Sequence, residues 1–190
     1  LVVGSANMTF NGTTLTLAND ASISGLTVGK GGSSPSTSTA IGASALSGNT
    51  SGVRCTAVGY QALTANAGGN DNAAFGYTAL AANTGSANAA FGTYASGLNT
   101  TGSNNSAFGD AALYTNTTGG SNTAIGYTAL YNNTTASNNT AVGYQSLYSN
   151  TTSTRNTAVG YLAAYSTTGE RNTAVGAYSL YYNTTGTQNC

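Results

Sequence analysis

A short phrase of the form Thr-Ala-Val-Gly-Tyr returns nine times along this chain, nearly always 17 residues after its previous occurrence. Self-similarity at a fixed period indicates a repeat architecture, in which each unit packs mainly on its neighbours. We call the large apolar residue of each phrase the anchor and number the other positions of the repeat from it. The gaps between successive anchors are 17, 17, 16, 17, 17, 17, 17 and 16 residues, and the anchors are Ile41, Val58, Phe75, Phe91, Phe108, Ile125, Val142, Val159 and Val175.

Other positions of the repeat are equally constant. Ala always precedes the anchor, Gly always follows it, and position +4 is always Ala or Ser. Position +5 is a second apolar column, which together with the anchors predicts two short strands per repeat that pair with the same strands of the next coil. The sequence therefore predicts an all-β fold, a parallel β-solenoid (β-roll) of about nine coils of 16–17 residues. Its predicted core consists of the nine anchors together with Leu46, Leu63, Leu80, Leu113, Leu130, Leu147 and Leu180.

Asparagine occupies two further columns, at positions +8 and −3. Asn suits turns, and identical Asn side chains in stacked coils can hydrogen-bond along the stack as amide ladders. Most of this Asn content is therefore assigned to the fold. Six Asn residues at position +8 also begin Asn-x-Ser/Thr sequons, which predicts a line of candidate glycosylation sites along the rod. These are Asn49, Asn99, Asn116, Asn133, Asn150 and Asn183.

Tyrosine is columnar as well, at position +2 and, in the second half of the chain, at position +6. Rings with an apolar body and a polar tip suit either a half-buried edge of each coil or a lateral contact with a second chain. Both interpretations stay open. The interface candidates at position +6 are Tyr114, Tyr131, Tyr148, Tyr165 and Tyr181.

Residues 1–38 do not follow the repeat, so the chain divides into this segment and a rod at 39–190. The pattern predicts a hairpin around Asn11-Gly12, with flanking strands at 8–10 and 14–17, and a further short strand at 23–28. A Gly- and Ser-rich stretch at 31–35 marks the joint to the rod. We expect residues 1–38 to be a cap, a neck or a docking element.

Composition argues against several function classes. Four basic and four acidic residues give a net charge of zero, which provides no attraction to nucleic acid, and no run of 18 apolar residues is present to insert in a membrane. Without His there is no His-based catalytic triad and no usual zinc ligand set, so we expect neither an enzyme nor a cofactor or metal. Leu, Ile, Val and Phe make up only 28 of 190 residues, as in a disordered polar tract, but their repeated phase favours a fold.

Two further expectations concern covalent structure. Cys55 and Cys190 lie eight coils apart, too far for an intrachain disulfide in a straight rod. The first residues do not form a signal peptide and Met is absent from position 1, which predicts a processed chain or a fragment of a longer product.

The segment Asn139-Thr140-Ala141-Val142-Gly143-Tyr144 resembles the head repeats of trimeric autotransporter adhesins, which share an Asn-Ser-Val-Ala-Ile-Gly-like core. The Asn-Thr-Thr-Gly turn at 116–119 and 183–186 resembles repeats of phage tail-fibre-like proteins. This resemblance covers residues 39–190 and implies a left-handed β-roll in a homotrimer, although the repeat here is about three residues longer than in the adhesins.

Three functions follow as hypotheses. The first is a structural fibre on a cell surface, a virion surface or outside the cell, whose homo-oligomeric rods also polymerise head to tail. The second is an adhesin or tail fibre that recognises a host glycan or protein through exposed Tyr and Asn columns. The third is ice binding, which Thr-rich solenoids can perform, although no Thr-x-Thr column persists here.

Overall fold

A computed structural model describes residues 8–10, 15–17, 21–23, 26–32 and 37–190 of the chain. The described residues form strands and turns without any helix. One sheet of 11 strands runs in the order β13 to β3, and within it β5 to β13 are parallel. The strands are β1 (Met8–Phe10), β2 (Leu15–Leu17), β3 (Ala21–Ile23), β4 (Leu26–Gly29), β5 (Thr39–Ile41), β6 (Thr56–Val58), β7 (Ala73–Phe75), β8 (Ala89–Phe91), β9 (Ser106–Phe108), β10 (Thr123–Ile125), β11 (Thr140–Val142), β12 (Thr157–Val159) and β13 (Thr173–Val175).

The predicted β-solenoid is confirmed. Each anchor pairs in register with the anchor of the next coil, as Ile125 does with Phe108 on one side and Val142 on the other. Nine parallel strands at a spacing of about 4.8 Å give a rod roughly 40 Å long. The two 16-residue repeats keep this register because each lacks one residue in the same turn, between position +8 and the next glycine.

The prediction of a second strand in each coil is right about pairing with the next coil and wrong about the backbone conformation. The segment around position +5 does hydrogen-bond to the next coil, for example from the Leu46 N–H to the Ala62 carbonyl at 2.9 Å. It is a turn and not a strand, because positions +3 and +5 have left-handed backbone conformations in every coil, as at Ser44 (φ 57°) and Leu46 (φ 52°). Each coil therefore has one short strand, and tight turns complete the circuit.

The prediction that the anchors form the core is wrong, whereas the prediction for the leucines holds. In each strand only the middle residue, the constant Ala, points inward, and Ala124 and Ala141 are 0% exposed. Side chains alternate along a strand, so the anchor and the residue two before it point outward. The narrow interior accepts alanine from the strand and leucine from the turn. The anchors placed outside are Ile41, Val58, Phe75, Phe91, Phe108, Ile125, Val142, Val159 and Val175.

Six leucines at position +5 are 0% exposed, and Leu180 in the last coil is partly buried against them. These six are Leu46, Leu63, Leu80, Leu113, Leu130 and Leu147. Two coils place a smaller residue at this position, Ser96 and Ala164, both of which are also buried. The Ser96 hydroxyl has no hydrogen-bond partner, so this coil is a weaker point of the leucine column.

The predicted amide ladders run through the interior. At position +8, the Asn133 Nδ2 donates to the Asn116 Oδ1 at 2.8 Å and to the Ala136 carbonyl at 3.0 Å. At position −3, the Asn139 N–H donates to the Asn122 Oδ1 at 3.0 Å. Since both amide groups bond to neighbouring coils, these buried polar side chains are satisfied and fix the register of the stack.

The position +8 ladder has one interruption. Thr167 replaces Asn there and supplies no amide N–H, so the Asn150 Oδ1 is buried without a partner. The Thr167 hydroxyl instead donates to the Leu180 carbonyl at 3.2 Å.

The glycine after each anchor lies where the coils approach most closely. Gly109 has φ 137°, and a Cβ at this residue would lie 2.5 Å from the carbonyl oxygen of Gly126 in the next coil. Both the backbone conformation and the contact exclude a side chain. Gly176 in the last repeat has φ 116° and no atom within 4 Å of the corresponding point.

At the N-terminal end, β4 pairs antiparallel with β5, so that Val28 lies beside Ile41. The β3–β4 hairpin therefore continues the sheet into the segment predicted to be a cap or neck. The strand predicted at 23–28 is wrong, because β3 ends at Ile23 and β4 begins at Leu26. Pairing of β1 with β2 confirms the flanks of the other predicted hairpin, whose turn at 11–14 lies outside the described residues, as does the joint at 33–36.

Candidate functional surface

The nine outward-pointing anchors form a continuous apolar column along the rod, which we call the anchor stripe. Ile41, Phe108, Ile125 and Val159 are 36–40% exposed, and Val175 is 69% exposed. Val28 of β4, 39% exposed, extends the stripe by one residue. Apolar side chains aligned over the whole length of a rod form a patch of the kind that marks an interaction surface.

The middle of the anchor stripe is aromatic. Phe75, Phe91 and Phe108 stack with ring centroids 4.6 and 4.8 Å apart and interplanar angles of 8° and 5°. In these three coils the other outward residue of the strand is Ala, Ala or Ser, where all six other coils have Thr. The small neighbour leaves space beside the larger ring, so the outward surface keeps a similar volume from coil to coil.

Tyrosines form two further ladders on the turn next to the strand. At position +2, Tyr60 stacks on Tyr77, and Tyr127, Tyr144 and Tyr161 stack in turn at 5.2–5.4 Å. At position +6, five half-buried rings stack at 5.2–5.5 Å, namely Tyr114, Tyr131, Tyr148, Tyr165 and Tyr181. These five rings largely cover one another, and their predicted contact with a second chain stays a prediction.

The tyrosine pattern changes between the coil with anchor Phe91 and the next coil, with anchor Phe108; we call these coil 91 and coil 108. Thr93 and Asp110 take the place of Tyr at position +2, and Tyr94 lies one residue later, at +3. Its ring is nearly perpendicular to both neighbours, at 80° to Tyr77 and 82° to Tyr114. A cavity of about 190 Å³ opens at this point, lined by Tyr94, Ala111, Tyr114 and Tyr131.

The predicted line of glycans is wrong for the interior sequons. Asn49, Asn99, Asn116, Asn133 and Asn150 are at most 1% exposed. The Nδ2 that would carry the sugar donates inside the solenoid, as from Asn116 to the Gly119 carbonyl at 2.9 Å. A glycan on that nitrogen is incompatible with this fold. Asn183 in the last repeat is half-buried, and its glycosylation stays a prediction.

Burial of both Asn columns also removes one part of the adhesin hypothesis. Up to Asn172, the Asn side chains of both columns face the interior and are not available to hydrogen-bond a receptor. Of the two kinds of column invoked for recognition, only the tyrosines lie at the surface.

Charged residues are few on the surface of the rod. Arg54 forms a bidentate ion pair with Asp71 of the next coil, with Nε–Oδ1 at 2.5 Å and Nη2–Oδ2 at 2.8 Å. The hydrogen bonds from Arg54 lower the pKa of the Asp71 carboxyl, and the same bonds raise the pKa of Arg54. Both side chains are largely exposed, so the pair connects two turns without creating a binding site.

Both cysteines are free thiols, which agrees with the absence of an intrachain disulfide predicted from their spacing. Cys55 replaces Asn at position −3 and takes over its role, because its Sγ donates to the Gly69 carbonyl at 3.2 Å. Burial raises the pKa of this thiol and favours its neutral form. Cys190 is exposed.

Within the described ranges, no group of three or more Asp, Glu or Cys residues is arranged to hold a metal ion. The same part of the chain contains no helix long and apolar enough to cross a membrane. No family model matches the sequence, and comparisons with curated proteins and with solved structures likewise find no match.

Proposed function

We propose that this chain is the structural rod of an extracellular or virion-surface fibre, and that copies of it pack side by side through the anchor stripe. The observation that carries this proposal is the outward position of all nine anchors. A soluble single rod would have no reason to align its largest aliphatic and aromatic residues in water while filling its interior with alanine, leucine and asparagine.

The size of the stripe supports association. Nine side chains that each expose on the order of 60 Å² present roughly 550 Å², and flanking Thr and Tyr residues bring this toward the ~800 Å² per partner of a standard interface. The anchor positions carry no charge, and the chain is neutral overall, so copies do not repel one another. The resemblance to trimeric heads gives three as the expected number of copies.

Mechanically, the fold suits a rod. The coils are joined by a continuous parallel hydrogen-bond ladder, by two interior amide ladders and by stacked rings, so each coil is held to the next at several points around its circumference. The proposed role assigns no catalysis, cofactor, nucleic acid or membrane insertion to the chain.

Sedimentation equilibrium of the purified chain tests the association. We expect a mass about threefold that of the 18.7 kDa monomer. Replacing Ile125 and Val142 together with Asp should shift the mass to that of a monomer, because two buried charges would face each other across the contact.

The matched control replaces Thr118 and Thr135 with Asp, which are exposed turn residues at position +10 of neighbouring coils. This variant adds the same charge and should keep the wild-type mass. Circular dichroism of all samples reports whether the solenoid is retained. A wild-type monomer at about 100 µM, or a stripe variant with the wild-type mass and fold, would contradict the proposal.

A further inference from the structure

The cavity at Tyr94 coincides with several departures from the repeat. In coil 91, position +5 is Ser96 where most coils have Leu, and position +6 is Gly97. In the next coil, position +2 is Asp110 and position +3 is Ala111. This is where the first position +2 ladder ends and the position +6 ladder begins, so the change in the tyrosine pattern creates a concave site in an otherwise regular surface.

Three rings shape the cavity. Tyr94 is nearly perpendicular to the rings on both sides of it along the stack, so neither neighbour stacks parallel on it. Tyr114 and Tyr131 stack on each other at 5.5 Å and 25°, so they present a wall of ring edges. Ala111 leaves the space between Tyr94 and this wall open.

Gly97 helps to hold the wall in place. A Cβ at this residue would lie 3.1 Å from Cε2 of Tyr114, so a larger residue would push the ring from its position. The first ring of the position +6 ladder therefore packs against bare backbone on this side.

The polar groups at the site are free to bind a ligand. Within the described part of the chain, the phenol hydroxyls of Tyr94, Tyr114 and Tyr131 make no hydrogen bond to protein. Asp110 does not itself line the cavity; it directly precedes the lining residue Ala111, is exposed and forms no ion pair with any described residue. Along the sequence, the nearest cations on either side are Arg54 and Arg155, each about three coils away.

We propose that this cavity binds one pyranose unit of a carbohydrate. Tyr94 lines the cavity and has no parallel ring stacked on it, so it offers an aromatic surface for the C–H groups of a sugar, while phenol hydroxyls and the nearby carboxylate offer partners for its hydroxyls. The cavity of about 190 Å³ has room for a single sugar ring. The neutral chain and the single carboxylate favour a sugar without negative charge.

Saturation-transfer NMR of the full chain with methyl pyranosides tests this. The probes are the methyl glycosides of glucose, galactose, mannose and N-acetylglucosamine, each up to about 50 mM, since one small shallow site should bind weakly. We expect transfer to at least one of them, with millimolar affinity, and its competition by the same free sugar.

Filling the cavity is the decisive variant. Ala111→Tyr adds a ring at position +3, where the chain already has Tyr94 and Tyr178, so the fold can accommodate it. It should reduce affinity at least about tenfold. Gln145→Tyr makes the same change at position +3 of another coil, away from the cavity, and should bind like the wild type.

Asp110→Asn should weaken binding several-fold, because the amide replaces one acceptor with a donor. Absence of saturation transfer to any of the four glycosides would overturn the proposal, as would equal binding by the Ala111→Tyr and wild-type chains. Binding of tetramethylammonium in place of every glycoside would overturn it as well, because the rings would then act as a cation cage.

None of the residues that line this cavity belongs to the anchor stripe, and the test of the site is separable from that of the proposed rod. The same samples give a mass by sedimentation, which the cavity variants should leave unchanged. A cavity variant that loses sugar binding while the oligomer stays intact supports the carbohydrate site. A wild-type chain that forms the oligomer but binds no sugar contradicts the carbohydrate site.

Discussion

The interior of each coil and the outward surface of its strand use opposite kinds of side chain. Leu130 is 0% exposed beside hydrogen-bonded asparagines, whereas Ile125, five residues earlier in the same coil, is 40% exposed. A coil with one three-residue strand encloses too little space for a large residue from the strand as well as one from the turn. Interior volume, and not hydrophobicity alone, therefore selects which apolar column becomes the core.

Substitution of a glycine between closely stacked coils should cause the greatest loss of stability. Gly109→Ala combines a strained backbone with a Cβ against the Gly126 carbonyl, and we expect it to lower the free energy of unfolding by roughly 2–6 kcal/mol. Gly176→Ala has a similar φ but no neighbouring atom, so only the backbone strain of about 1–3 kcal/mol should remain. Urea denaturation of both variants measures the difference, and equal losses would show that coil spacing is not what requires glycine.

A second pair of variants compares the buried and the outward apolar residue of one coil. Leu130→Ala should destabilise the chain by about 2–5 kcal/mol, since it leaves a cavity in the leucine column. Ile125→Ala should lower the free energy of unfolding of the dissociated chain by only about 1–2 kcal/mol, because its side chain is 40% exposed to water. Denaturation at concentrations low enough to dissociate any oligomer checks this, and the reverse order would place the anchors in the core after all.

A smaller effect concerns the polar interior. Thr167→Asn supplies the missing amide to the unpartnered Asn150 Oδ1 and should stabilise the chain by about 1 kcal/mol. Asn83 shows that a 16-residue coil has room for this side chain, since it donates to the Gly85 carbonyl at 2.9 Å. Thr152→Asn, at an exposed turn residue, is the control and should leave the melting temperature unchanged. A destabilised Thr167→Asn chain would mean that the ladder is not continuous at this coil.

The smallest effect belongs to the exposed ion pair, the charged counterpart of the buried amides. Because Arg54 lowers the pKa of Asp71 in the folded chain, the pair stabilises it above the unfolded pKa of about 3.9, and this contribution is lost as the pH falls through the folded pKa. Asp71→Asn should thus be slightly less stable than the wild type at pH 7 and equal to it in strong acid. Thermal melts at both pH values, with and without 1 M salt, measure this, and a difference that persists in acid would point to another cause.

Much of the fold is predictable from the sequence because a repeat reports the same local environment nine times. The period, the constant Gly and Ala and the two Asn columns each have a direct structural counterpart. The direction of the anchors is not predictable in this way, since a buried and a half-exposed apolar column have the same periodicity. The interior Asn ladder also shows why a sequon is a poor guide to a glycan: the same Asn-Thr pair fits a turn whose amide points inward.

The turn at position +5 and the Tyr94 cavity are not predictable from the sequence, for other reasons. Leucine rarely adopts a left-handed backbone, so Leu46 and its equivalents gave no sign of a turn. The cavity depends on the orientation of one ring relative to its neighbours. The available signal was the simultaneous replacement of Tyr by Thr93 and Asp110 in two adjacent coils.

The in-register pairing of each strand with its equivalent in the next coil has a consequence for how such a gene can change. Duplicating or deleting one 17-residue segment in frame would present every remaining coil with a neighbour of the same kind, and the ladders would close again around the altered join. Each such event would change the length of the rod by about 4.8 Å. The length of the rod is thus inherited in increments of one coil, and it can vary among descendants while the cross-section stays the same.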